Sequence, residues 1–113
     1  MKKTELTPEA LELIAARFRV LAEPMRLRIL HALGDREVTV GELVEELEAG
    51  QANVSKHLGL LLDASIVRRR KEGLNAFYSV ADATIFELCD LVCSSLGERL
   101  AAQRGAVVGY TKR

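Results

Sequence analysis

The sequence predicts a mainly α-helical fold that carries one small β-hairpin, and three observations support it. Residues 39–64 read as two short amphipathic helices joined by a tight turn that contains Gly50. Residues 66–81 then read as two strands around a Glu72-Gly73-Leu74-Asn75 turn, with Arg68, Arg69, Arg70 and Lys71 in a row on the first strand. Residues 82–104 return to a helical period over one long stretch. A helix pair followed by a basic hairpin is a winged helix-turn-helix. It presents a helix to the major groove of DNA and a charged ribbon to the neighbouring phosphates. At 113 residues the chain is expected to form one domain over 1–113. Its helix-turn-helix lies at 39–64, its wing at 66–81 and a C-terminal dimerisation helix at 82–104.

The first helix opens at Thr7-Pro8. Thr7 is a good N-cap, and Pro8 suits the first helical position because its missing N–H had no partner there anyway. Ala10, Leu11, Ile14, Phe18 and Leu21 recur on one face. Pro24 opens a second helix with Met25, Ile29, Leu30 and Leu33 apolar, and Gly34 closes it. Arg26, Arg28 and His31 make its polar side, and solvent or an Asp partner is the expected fate of the two arginines.

Thr39-Val40-Gly41-Glu42 is a capping box, in which the Thr39 hydroxyl accepts from a backbone N–H and Glu42 reaches back to the N–H of Thr39. Leu43, Val44 and Leu47 point inward, and Ala49-Gly50 breaks the helix. The next helix, from about Gln51 to Ala64, has Val54, Leu58, Leu61 and Leu62 at helical spacing, with Val54, Leu58 and Leu61 inward. Its other side offers Ala52, Ser55, Lys56 and Gly59, with Gln51 and Asn53 at the leading turn. Asn and Gln match the donor–acceptor pair on adenine, Ser55 suits a base or a phosphate, and Lys56 suits a phosphate. Arg68, Arg70 and Lys71 on the wing are candidates for the phosphates alongside. A chain edge protected by solvated Lys and Arg is the competing reading of that run.

The final helix carries Ile85, Leu88, Cys89, Val92, Cys93, Leu96 and Leu100 at helical spacing. So long an apolar stripe needs a partner, either the first helix of the same chain or the same pair from a second copy. The tail from Gly105 to Arg113 is expected to fray.

Charge sharpens the functional reading. The chain is neutral overall, but residues 1–50 hold 7 basic and 10 acidic side chains, net −3. Residues 51–81 hold 5 and 2, net +3, and residues 82–113 hold 4 of each. The positive balance thus falls on the second helix of the pair and the wing, where phosphates would lie. No apolar run is long enough to cross a bilayer, and the N-terminal residues lack the apolar segment of a signal peptide, so no membrane partner and a cytoplasmic location are expected. The two His have no Ser or Cys nucleophile at motif spacing, and there is no Gly-rich phosphate loop or paired acids in a likely cleft, which argues against an enzyme.

Three segments resemble the ArsR/SmtB family of bacterial repressors. Ala22-Glu23-Pro24-Met25-Arg26-Leu27-Arg28-Ile29-Leu30 is similar to the family's opening phrase, and Gln51-Ala52-Asn53-Val54-Ser55-Lys56-His57-Leu58 to its recognition helix. Arg69-Arg70-Lys71-Glu72-Gly73 is similar to its wing, and the resemblance covers roughly residues 10–100. It implies a homodimer built from the first and last helices, an operator with imperfect inverted symmetry, and an inducer that weakens DNA affinity. It also implies a place for His57 near the DNA backbone, whereas the helical pattern equally allows it a place in the core. Where the family usually has a glycine after Leu62-Asp63-Ala64, this chain has Ser65. A positive φ there would cost on the order of 1 kcal/mol, and the alternative is a different helix exit.

The family's usual inducer sites are altered here. The two cysteine positions of its thiol box hold Thr39 and Gly41. On the last helix Asp82 matches the first acid, but Thr84 and Ser95 stand where histidines are expected, so zinc has too few ligands. What remains is Cys89 and Cys93, four apart on one helix face. One reading packs them as small apolar residues, and the nearby Glu87 and Asp90 favour it by disfavouring a thiolate. The other brings four sulfurs together across a two-fold axis, a site for a soft metalloid, copper(I) or a thiol-reactive inducer. For the chain as a whole, the alternative to a DNA-binding repressor is a winged helix used only for protein–protein contact.

Overall fold

The computed structural model describes residues 5–104, and among them run five helices and two strands in the order α1–α4, β1, β2, α5. Helix α1 spans Pro8–Leu21, with the Thr7 hydroxyl accepting from the Ala10 N–H at 3.1 Å. Helix α2 spans Pro24–Leu33, and its N-cap is Glu23, whose carboxylate accepts from the N–H groups of Met25 and Arg26 at 2.7 and 3.2 Å. Gly34 closes α2 with φ +55°, as the sequence suggests. Helix α3 spans Val40–Leu47 behind a complete capping box: the Glu42 N–H donates to the Thr39 hydroxyl at 3.2 Å, and the Thr39 N–H donates to the Glu42 carboxylate at 2.8 Å.

The turn into the next helix differs from the expectation. Gly50 has extended backbone and serves as the N-cap of α4, Gln51–Asp63, while Glu48 takes the left-handed conformation at φ 51° and ψ 48°. Its N–H donates to Glu45 O and the Ala49 N–H to Val44 O, the crossed pair of bonds that ends a helix in a Schellman motif. Helix α4 ends in the same way. Ser65 N–H donates to Leu62 O and Ile66 N–H to Leu61 O, both at 3.0 Å, with Ser65 at φ 62°. The positive-φ reading of Ser65 is therefore the one realised. Glycine is the default at both places, so Ser65→Gly and Glu48→Gly are each expected to raise stability by about 0.5–1 kcal/mol. Urea unfolding checks this as a higher midpoint at unchanged slope; a midpoint that falls would show that the side chains compensate the backbone.

Arginines finish both helix ends. Arg28 donates to Leu47 O at 2.9 Å, where α3 stops, and Arg17 donates to Ala64 O at 3.0 Å, where α4 stops. Carbonyls at a helix C-terminus lack intrahelical donors and carry the negative end of its dipole, so a guanidinium satisfies both demands. Arg28 was expected to meet solvent or an Asp, and it meets a backbone carbonyl instead.

Strands β1, Val67–Glu72, and β2, Asn75–Val80, pair antiparallel from Val67↔Val80 to Glu72↔Asn75. The turn is the Glu72-Gly73-Leu74-Asn75 segment read from sequence, with Glu72 and Asn75 paired as its flanks and Gly73 supplying φ +61° at the first central position. Val38 adds a single bridge to Tyr78 on the free edge of β2. Alternation along β1 sets Val67, Arg69 and Lys71 on one face and Arg68, Arg70 and Glu72 on the other. The core lies where α2, α3 and α4 meet the root of the hairpin. Ile29, Leu30, Leu33, Leu43, Val54 and Leu61 are fully buried there.

The chain divides into two compact units at Ala81/Asp82. The second unit holds α5, Thr84–Arg104. It starts at Thr84 because the Asp82 carboxylate accepts from the Thr84 N–H at 3.1 Å and from the Thr84 hydroxyl. Leu91, Val92, Leu96 and Leu100 are exposed on α5. Leu11, Ile14 and Phe18 on α1 are exposed as well. The expected fraying of 105–113 lies outside the described residues.

Candidate nucleic-acid interface

Helix α4 has two distinct sides. Val54, His57, Leu58 and Leu61 are buried, and Gln51, Ala52, Asn53, Ser55 and Lys56 are exposed. The residues expected to read DNA thus share one open face, apart from His57. Beyond its own helix backbone and chain neighbours, nothing lies within 4 Å of where a Cβ on Gly59 would sit, so there is open space at that point of the helix. Gly50 offers no side chain to cap α4, which leaves the first-turn N–H groups without a side-chain acceptor.

His57 is a correction. It was expected near the DNA backbone, with the core as the alternative, and it is only 6 % exposed. Its Nδ1 lies 3.1 Å from the Arg26 guanidinium, which also donates through Nε to Val20 O at 2.6 Å. A guanidinium only donates, so Nδ1 accepts and the ring proton sits on Nε2. That nitrogen lies 4.0 Å from Glu23. Desolvation works to raise the Glu23 pKa, but the N–H donors of Arg26 and Met25 and the nearby Arg26 charge hold it below the ordinary glutamate value. Arg26 therefore links the end of α1 to α4, and His57 is an anchor of the recognition helix rather than part of its reading face.

The wing also departs from expectation at Arg70. Arg68, Arg69, Arg70 and Lys71 are all exposed. Arg70, a candidate for a phosphate, already holds Glu37 at 2.9 and 3.1 Å and Glu72 at 3.2 Å. Its guanidinium stands over the Phe77 ring, 4.9 Å from the centroid. Hydrogen bonds that Arg70 donates to Glu37 and Glu72 raise the Arg70 pKa, and the bond it donates to Glu37 lowers that of Glu37. Sequence reasoning missed Glu37, because an acid two residues before an N-cap carries no local signal. Lys56, Arg69 and Lys71 make no ion pair among the described residues.

Comparison with known proteins supports a regulatory role. The sequence profile of a helix-turn-helix domain matches residues 21–70. The transcriptional repressor SmtB homolog of Synechocystis sp. is 32% identical over 99 residues, covering 83% of this chain and 75% of that protein. The crystal structure of Mycobacterium tuberculosis Rv0081 superposes with a TM-score of 0.72 at 36% identity, covering 88% of this chain and 99% of that one. The chain belongs to the ArsR/SmtB family of winged helix-turn-helix transcriptional regulators. The homodimeric winged helix-turn-helix DNA-binding domain of Mycobacterium bovis Mb0332, described as that of a possible ArsR-family transcriptional regulator, superposes with a TM-score of 0.72 at 25% identity over 88% of this chain and 93% of that one. The HTH-type transcriptional regulator KmtR of M. tuberculosis is 37% identical over 76 residues, 67% of this chain, and the chain spans 58% of that longer protein.

The ArsR/SmtB inducer positions carry Thr39, Gly41, Asp82, Thr84 and Ser95 here, and Thr39, Asp82 and Thr84 are all engaged in capping. Among the described residues, no three His, Cys, Asp or Glu side chains gather as a metal site. Cys89 and Cys93 form no disulfide and are each half-buried on α5. Among the described residues no helix is long and apolar enough to cross a membrane.

Proposed function

We propose that this protein is a homodimeric, operator-specific transcriptional repressor that acts in the cytoplasm and reads an imperfect inverted repeat. The observation that carries this reading is the division of α4. Four buried side chains hold the helix to the core, and Gln51, Asn53, Ser55 and Lys56 stand exposed on its opposite side. Gln51 and Asn53 suit adenine in the major groove, Ser55 a base or phosphate, and Lys56 a phosphate. The open N-terminus of α4 favours a phosphate as well, through its unpaired N–H groups and helix dipole. The exposed apolar side chains of α1 and α5 support a dimer through those helices. The naming of relatives as repressors, and of one as homodimeric, supports the same assembly and direction of control.

A two-fold dimer places its recognition helices about one turn of DNA apart, ~34–36 Å, so the operator should have half-sites at that spacing. Sedimentation of the full chain at micromolar concentration, with and without DNA from upstream of its own gene, tests this. The expected result is a dimer that binds one duplex. A monomer that DNA does not dimerise contradicts it, and binding to protein without DNA would restore the protein–protein reading.

Cys89 and Cys93 are the candidate inducer site of this reading. Cys89→Ser and Cys93→Ser are each expected to leave DNA binding intact, and sensing predicts that both abolish release by arsenite, copper(I) or persulfide. By linkage, the factor an inducer removes from DNA affinity equals the factor DNA removes from inducer affinity, about 1–3 kcal/mol in a useful switch. Unchanged release in the double variant would assign the cysteines to packing.

A further inference from the structure

The two faces of the wing have different charge. On one face Arg70 has a carboxylate at each of its nitrogens: Glu37 at Nε and Nη2, and Glu72 at Nη1. Arg68 shares that face, and its charge also bears on Glu37. Two cations and two carboxylates leave that face neutral. The other face begins at buried Val67 and continues with Arg69 opposite Tyr78 and Lys71 opposite Ala76. No acid stands on that face of the hairpin, and neither cation makes an ion pair among the described residues.

We propose that the wing meets DNA phosphates through Arg69 and Lys71, and that Arg70 is a positioning residue that roots the hairpin to the Glu37–Val38 segment. This rests on the DNA-binding reading above and assigns its phosphate contacts to the opposite face from Arg70. A phosphate brought to Arg70 would have to displace a bidentate carboxylate of matching geometry, and would then lie beside two glutamates. A phosphate brought to Arg69 or Lys71 displaces only water and counterions. The Arg70 contacts reinforce the nearby backbone bridge, where Val38 exchanges N–H···O bonds of 3.0 and 2.8 Å with Tyr78. Exposed ion pairs are individually weak, so the value of this cluster lies in fixing the direction of the ribbon.

Titration of the full chain against a mixed-sequence duplex over a range of salt concentration tests the assignment, because phosphates are bound without regard to sequence. Each phosphate that a variant no longer neutralises flattens the slope of log K against log salt by about 0.9. Arg69→Gln is expected to do so, and Arg69→Lys to restore the slope, which separates charge from folding. The paired variant Glu37→Gln/Arg70→Gln conserves net charge and is expected to keep the slope while weakening binding. Glu37→Gln alone is expected to bind no tighter than the parent. The assignment is overturned if Arg69→Gln keeps the full slope, if the paired variant loses about 0.9 of it, or if Glu37→Gln binds more tightly by freeing Arg70. A parent chain with no salt-dependent binding overturns the DNA reading itself, and this assignment with it.

Discussion

Arg26→Ala should be among the most damaging single changes outside the apolar core, costing about 2–3 kcal/mol of folding stability. The guanidinium donates to Val20 O and to His57 Nδ1, joining α1 to α4 across sequence separations of 6 and 31 residues. Alanine leaves the acceptor Nδ1 of the buried imidazole without its donor, and that desolvation is not returned. Arg26→Lys should recover only part of the loss, since one ammonium cannot reproduce the planar fork that reaches both acceptors. Lys56→Ala is the control from α4 itself: its side chain is exposed and unpaired, so stability should change by less than about 0.5 kcal/mol while DNA binding weakens. Urea unfolding and DNA titration of the three variants check this. Equal stabilities for Arg26→Ala and Lys56→Ala would show that His57 needs no anchor.

The second large effect is on specificity. Gln51→Ala or Ser55→Ala should relax base preference at particular operator positions by about 1–3 kcal/mol, and change affinity for unrelated DNA little. Lys56→Ala should do the opposite, weakening all sequences about equally. A panel of operators with single base changes separates these outcomes. The assignment of α4 fails if Gln51→Ala leaves every preference unchanged while Lys56→Ala alters which base is preferred.

The parts of this molecule written locally were legible in its sequence. Thr39 and Glu42 announce α3 because both halves of a capping box lie within four residues, and Thr7-Pro8 announces α1 in the same way. The strand run and Gly73 announce the wing, and the exposed face of α4 follows from its helical period. The parts decided by distant polar partners were not legible. His57 lies at the border of the apolar stripe of α4, so its period allows either side, and Arg26, 31 residues earlier, settles which. Arg70 looks like any basic wing residue until Glu37, 33 residues earlier, is placed beside it. The left-handed backbone at Glu48 was hidden for a different reason, and that at Ser65 stood only as one of two readings. Helix length fixes where the terminal residue falls, and the Arg28 and Arg17 caps hold those ends where glycine would otherwise be expected.

The central claim is that the exposed side of α4 reads one DNA sequence in preference to others. Its most direct test is a fluorescence anisotropy titration of the full chain against DNA from upstream of its own gene and against a scrambled duplex of equal length, repeated across salt concentrations. The expected result is binding to the upstream DNA at least about 10³-fold tighter than to the scrambled duplex, with both affinities falling linearly in log salt. Equal affinity for the two duplexes at every salt concentration would contradict it.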